Sequence, residues 1–375
     1  MTQSELRTSL LEYFESLPDP RVERTRDHQL IDIIGIAICA VVSGAEGFTD
    51  IERYGRAKHQ WLGTFLELPH GIPSHDTFGR FFAALDPTAF HQCFLGWVSA
   101  LGQIVGGMLV AIDGKTIRRS HDTALGRSAL HMVSAWASAH RIVLAQQAVD
   151  SKSNEITAIP ELLAMLHLDG ATVSIDAMGC QTEIVKTIID KNAEYVVALK
   201  ENHPTLYRQT VDLFEERSAS GTPLSAAEFC QQTDAGHGRV EVRRCWTADI
   251  AQRWAVASEW AGLRTVAMIE GERHIGSTIS VERRYFLSSL PSVARDIAHA
   301  VREHWAIENS LHWVLDVTFS EDSSRVRINH AVENFALLRK IALNLLSKND
   351  SPGSIRGKRK IAGWNDDFLV KILTG

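Results

Sequence analysis

Three carboxylates in this sequence stand where they could hold divalent metal. Asp113 closes the apolar run Met108 to Ile112, and Asp176 closes a second run, Ala171 to Ile175. Glu308 lies far downstream, in a stretch from Ala294 to Val317 that reads as one long helix. An acid at the end of a buried strand is held rigidly, with its charge at the rim of the sheet. Two such strands and a helix can gather three acids around ions roughly 4 Å apart, the geometry of two-metal phosphoryl transfer. Taken singly, each acid reads equally well as a solvated strand end or helix surface, because charged residues are mostly exposed.

The neighbours of these acids narrow the chemistry. After Asp113 come Gly114, Lys115, Thr116, Ile117, Arg118 and Arg119, which put positive charge beside the acid. Gly114-Lys115-Thr116 is no P-loop, since the upstream glycine of that pattern is missing. After Asp176, the small-residue turn Ala177-Met178-Gly179-Cys180-Gln181 leads into a helix whose first amides can face a phosphate. His304, Glu308, His312 and Asp316 recur every four residues and so share one face of a regular helix. That stripe reads as a zinc or iron site, as Glu308 joining Asp113 and Asp176, or as a plain polar face. Further on, His237, Arg239, Glu241, Arg243 and Arg244 alternate along an expected strand, giving it one charged side.

The elements that must position these residues follow from the patterning. Residues 1–100 read as helical, with Ser74 expected to cap a helix running to Leu85. Helix, Gly/Pro turn and capped helix suit a helix-turn-helix DNA reader and suit an ordinary bundle equally. Residues 101–220 carry strands at 109–119, 129–138 and 142–149. A helix follows at 159–168, a strand at 172–176, a helix at 182–191 and a strand at 195–199. Three strands followed by alternating helix and strand is the order of the ribonuclease H-like fold. Residues 221–290 read as a β-rich insertion, 291–345 as the final helices with the third acid, and 346–375 as a basic tail.

Composition sets the outer bounds. The chain has 375 residues, 45% hydrophobic and 22% charged, which is ordinary for a globular protein with real cores. Its net charge of −6 counts against indiscriminate nucleic-acid binding. From Ser323 onward, however, ten Lys/Arg face four Asp/Glu, including Lys358, Arg359 and Lys360, so this end could grip phosphates. Five cysteines without a CxxC pair point to reduced thiols in a cytoplasmic protein. The most apolar stretch, Ile33 to Ser43, is too short to span a bilayer, so no membrane partner is expected.

Five motifs in order resemble the DDE-type insertion-sequence transposases, in the branch containing the H-repeat-associated proteins. They are Ala111 to Lys115, Lys152 to Ile156, Ile175 to Gln181, Leu199 to Pro204, and His304 to Val317. The resemblance runs from the N-terminal helices to about Asn344. It implies an α/β fold: a ribonuclease H-like catalytic core with an N-terminal helical domain and a β-rich insertion before the last catalytic acid. It implies Asp113, Asp176 and Glu308 as catalytic metal ligands for Mg2+, with Mn2+ as a substitute. It also implies DNA cleavage and strand transfer at the element's ends, on terminal inverted repeats and target DNA, by a homo-oligomer. Many such proteins carry Tyr, Arg and Lys around the last acid; here Val301, His304 and Leu315 stand in those places, leaving Arg302, His304 and His312 as substitutes. The expected DNA contacts are thus Lys115, Arg118, Arg119, His237, Arg239, Arg243, Arg302, His304, His312, Lys358, Arg359 and Lys360, with Asp316 supporting the metal ligands. A non-catalytic DNA-binding derivative of such an element and a metal-dependent nuclease are the alternative readings.

Overall fold

The protein is described by a computed structural model for residues 10–101, 107–121, 126, 128–149, 154–220, 225–236, 238–251 and 254–374. It divides into two compact units whose boundaries cross the chain several times. One holds residues 1–103, 114–153 and 308–375, and the other holds 104–113 and 154–307. Both are mixtures of helix and strand, and no described helix is long and apolar enough to cross a membrane.

The second unit is built on strands. β1 (Leu109–Thr116), whose first five residues belong here, is followed by β4 (Thr172–Ile175) and β5 (Glu194–Leu199) in parallel register. Their centres are buried: Leu109 to Ile112, Val173 to Ile175 and Tyr195 to Val197, as in strands covered on both faces. The helices Glu155–Ala164 and Thr182–Asp190 make the connections, the second burying Ile184, Val185 and Ile188 as its stripe predicts.

The expected insertion extends this same sheet. β9 (Thr278–Ser288) pairs antiparallel with β5 from Ser288 opposite Val196 to Tyr285 opposite Leu199. β8 (Thr265–Ile275), β7 (Arg239–Asp249) and β6 (Phe229–Gly236) then continue outward as antiparallel neighbours. The strands run several residues beyond the expected apolar pieces, because cross-strand ion pairs and not burial carry their outer halves. The helix Ala294–Ile307 packs Ala294, Ile297, Ala300 and Val301 over Leu109, Val196, Cys245, Ala267 and Phe286.

The first unit holds the helices of residues 10–101 together with the C-terminal ones. Ser74 caps the helix His75–Ala84 by accepting the Thr77 amide, as its sequence position predicts. The helix Leu30–Val42 is buried nearly all round and packs against the long helix Ala331–Lys348. Phe48 stacks on Phe82 and meets Phe335 edge-on. β2 (His131–Ala137) and β3 (Ile142–Val149) form a hairpin with a register break after Ala135. β2 lies next to the end of β1, where the Ile117 amide donates to the Leu130 carbonyl. Buried polar groups fasten the long helix to the hairpin. Lys340 donates to Ser134 Oγ and Gln146 Oε1, while Asn344 accepts from the Val143 amide at 2.7 Å and donates to its carbonyl at 2.8 Å.

Residues expected as a basic tail are folded. They form the helices Ile355–Trp364 and Asp366–Thr374, the first capped by Ser354. Lys358 turns inward to the carbonyls of Leu346 and Asn349.

Asn344 completes a backbone pair that β3 lacks at that position. Asn344→Leu should therefore cost about 2–4 kcal/mol, since two buried backbone groups lose partners at once. Chemical denaturation reads this, and a shift near zero would mean that water replaces the amide.

Candidate active site

Strand register brings two of the three acids together. Ile112 pairs with Ile175 across β1 and β4, so Asp113 and Asp176 are the next residues on adjacent parallel strands. Such strands lie about 4.8 Å apart and their side chains alternate in step, so both acids leave the same face. Each is half-buried.

The turn after β4 sets the direction of Asp176. Its Oδ1 accepts the amides of Met178 at 3.0 Å and Gly179 at 3.3 Å. Gly179 is required by space: a Cβ there would come within 2.3 Å of Ile175 Cγ2 and 3.2 Å of Ile159 Cδ1. Asn202 donates to the Ala177 carbonyl at 3.0 Å, and His203 contacts the Cys180 carbonyl, so the Leu199 to Pro204 motif braces this turn.

His304 ties the helix Ala294–Ile307 to the same strand. Its Nδ1 lies 3.1 Å from Ser174 Oγ, two residues before Asp176 on β4 and therefore on the same face. Burial holds the His304 imidazole below the usual histidine range, with the Asp176 carboxylate opposing that shift. The position is thus neutral at ordinary pH and acts through hydrogen bonding. Ser174 contacts this helix without having stood out in the sequence, where Thr172 is a second hydroxyl in the same phase.

Glu308 is exposed and begins a π-helical turn, Glu308–His312, followed by the short helix Trp313–Val317. The expected uninterrupted helix is therefore broken at the acid itself. Extra residues in a π turn rotate the downstream positions out of α-helical phase, so the four-residue stripe from His304 to Asp316 does not persist. His304 goes to Ser174, while Asp316 goes to Lys115 at 2.7 Å. Among the described residues, no group of three or more His, Cys, Asp or Glu is disposed to hold a metal ion. The two paired aspartates offer hard oxygen donors, which suit Mg2+ or Mn2+ better than a thiolate-seeking metal.

The basic residues expected to face DNA divide into several groups. Arg118 and Arg119 are exposed; Arg118 pairs with Asp322 at 3.2 Å, and the Arg119 carbonyl accepts Arg327. Arg239 and Arg243 lie in a ladder with Glu241 and Asp234, and Arg302 pairs with Asp234 at 3.0 Å. His312 is half-buried, and His237 lies outside the described residues. Lys360 is exposed, but Lys358 and Arg359 are buried at 7% and 5% relative exposure, which corrects their expected place on a DNA-facing tail. Arg359 donates to the carbonyls of Val41, Ala45 and Thr318 and stacks 4.2 Å over the Phe319 ring. These carbonyls replace part of the guanidinium's hydration, and burial pushes its pKa down to about 10.

Comparison with known proteins agrees along the chain. The family described as "Transposase DDE domain" matches residues 106–345, and one described as "DDE_Tnp_1-associated" matches 11–98. A protein of Escherichia coli O157:H7 named "Putative transposase YncI" is 38% identical over 97% of this chain and 94% of its own. One of Escherichia coli K12 named "H repeat-associated putative transposase YhhI" is 35% identical over 98% of both. A short K12 relative, "Inactive transposase YbfQ", is 42% identical over 19% of this chain and 84% of its own. A piggyBac transposase synaptic complex with hairpin DNA matches 98% of this chain and 78% of that one at 11% identity, with a TM-score of 0.41.

Gly179→Ala should cost about 1–3 kcal/mol, as overpacking in a tight site does, and should reorient Asp176. A denaturation midpoint equal to wild type would show that Ile175 yields freely.

Proposed function

Because the chain belongs to the DDE transposase family, we propose that it cuts DNA at the ends of an insertion sequence and joins the freed ends to a target. The observation that carries this reading is that Asp113 and Asp176 each follow the last paired residues, Ile112 and Ile175, of two parallel strands within the span matched by the family. The strand pattern around them, with the β2–β3 hairpin beside β1 and the parallel run β1-β4-β5, is the reason to read a ribonuclease H-like core.

In this reading Asp113, Asp176 and Glu308 hold Mg2+. Held there, such an ion would supply the positive charge that makes water, and then a DNA 3′-hydroxyl, a better nucleophile toward a phosphodiester. The chain's own part is to hold three oxygen donors and keep neighbouring groups neutral or paired. His304, four residues before Glu308, is bonded to Ser174 of β4 and adds no charge of its own. Glu308 begins a π turn, a feature that recurs at functional sites. DNA end contacts fall to exposed cations such as Arg118, Arg119, Arg302 and Lys360, in an oligomer assembled on the element's ends.

Asp113→Asn, Asp176→Asn and Glu308→Gln should each abolish Mg2+- or Mn2+-dependent nicking and strand transfer on DNA carrying the element's ends. The losses should be similar and far from additive, because the ligands act as a unit. Binding to end DNA should survive. Activity persisting in Asp113→Asn would overturn the mechanism. Cutting without joining would leave a nuclease. Binding without cutting by the unaltered chain would leave a DNA-binding derivative, a reading that the relative named inactive keeps in play.

Replacing Arg356 and Lys360, both exposed, with alanine should reduce the slope of log K against log salt by up to about 0.9 per lost phosphate contact. Arg359→Ala should instead lower stability, by roughly 2–4 kcal/mol, through the carbonyls it leaves bare. An unchanged slope in the first pair would make this face a solvated surface.

A further inference from the structure

We infer that Lys115 is a positioning residue that clasps the end of β1 to the segment following Glu308, rather than a contact to DNA. The inference rests on the reading of Glu308 as the third acid. Lys115 follows Asp113 by two residues, so the two side chains leave β1 on the same face. Its ammonium lies 2.7 Å from Asp316, 3.1 Å from Glu321 and 3.2 Å from Asp322. An ammonium has three N–H donors; here two are given to Glu321 Oε2 and Asp322 Oδ1 as hydrogen bonds, and Asp316 Oδ1 stands at ion-pair distance. The side chain is only 11% exposed. Glu321 is buried and lies 3.6 Å from the buried Arg339, while Asp322 also receives the Arg118 amide and Nε. A phosphate would have to displace three bound carboxylates to reach this lysine.

The partners show what the clasp does. All three acids lie downstream of Glu308: Asp316 on the helix Trp313–Val317 and the other two in the turn Glu321–Ser323. Between Glu308 and Asp316 runs the π turn Glu308–His312, which lacks the regular bonding that fixes an α-helix in phase. Lys115 anchors the far side of that turn to the strand that carries Asp113. Its single positive charge also keeps three neighbouring carboxylates from repelling one another, which no neutral side chain of the same length can do.

The test compares Lys115→Met, Lys115→Arg and Asp316→Asn in the full chain by three measurements. These are amide hydrogen exchange across residues 308–317, the salt dependence of end-DNA binding, and Mg2+-dependent cleavage at saturating DNA. Lys115→Met should speed exchange in that segment and lower kcat by roughly 10–100-fold, the usual effect of removing a group that orients metal ligands. DNA affinity and its salt slope should stay at wild-type values. Lys115→Arg should restore protection in large part. Asp316→Asn should shift exchange and kcat in the same direction but less, and it carries the test if Lys115→Met does not fold. Unchanged exchange together with a salt slope reduced by about 0.9 would make Lys115 a phosphate contact and overturn the clasp. If the unaltered chain binds ends but cuts nothing, the catalytic reading fails, and exchange and salt slope still decide the clasp.

Discussion

Two like charges at the ends of neighbouring strands are an arrangement that a fold must be built to tolerate. The parallel register of β1 and β4 puts Asp113 and Asp176 side by side, and most of the described polar structure nearby manages that placement. Backbone amides of Met178 and Gly179 aim one acid. A neutral imidazole, not a second charge, occupies the position one turn before Glu308. The cation closest in sequence to Asp113 is bound to other carboxylates. Cations near these strands are thus largely paired with protein acids.

The outer part of the sheet obeys another rule. Arg243 and Arg244 on β7 meet Asp234 and Gln231 on β6, and Glu270 and Glu272 on β8; Arg273 meets Glu241, and Arg283 meets Glu270. Exposed pairs of this kind contribute little energy each. Their role is register, because a slip of one residue would bring like charges opposite one another. Burial, not alternation, is what these outer halves lack: Val240, Ile275, Ile279 and Val281 alternate with polar residues yet stay exposed.

Legibility in the sequence tracks what is local or periodic. The strand Ile142–Val149, the stripe of Thr182–Asp190 and the Ser74 cap depend on neighbours in the chain and are found where expected. Asp113 and Asp176 are legible because each ends an apolar run. The π turn at Glu308 is not, since its cause lies in restraints on either side of it and not in its own residues. Lys115 and Arg359 read as surface cations because a basic residue says nothing of carboxylates or carbonyls brought from hundreds of positions away, and Lys358 because the chain folds back on carbonyls 12 and 9 residues before it. Arg359 reaches Val41 across 318 residues of chain.

That long reach changes what the end of this chain means for its survival as a gene. A late stop codon in most proteins trims an appendage. Here, losing the segment from Arg359 onward would uncap the helix Leu30–Val42, bare the carbonyls of Val41, Ala45 and Thr318, and remove the cover of Phe319. The damage would fall first on the opposite terminus, in a region that makes none of the proposed chemistry. A copy cut at Arg359 would therefore lose these contacts of its helical bundle while Asp113, Asp176 and Glu308 all remained encoded.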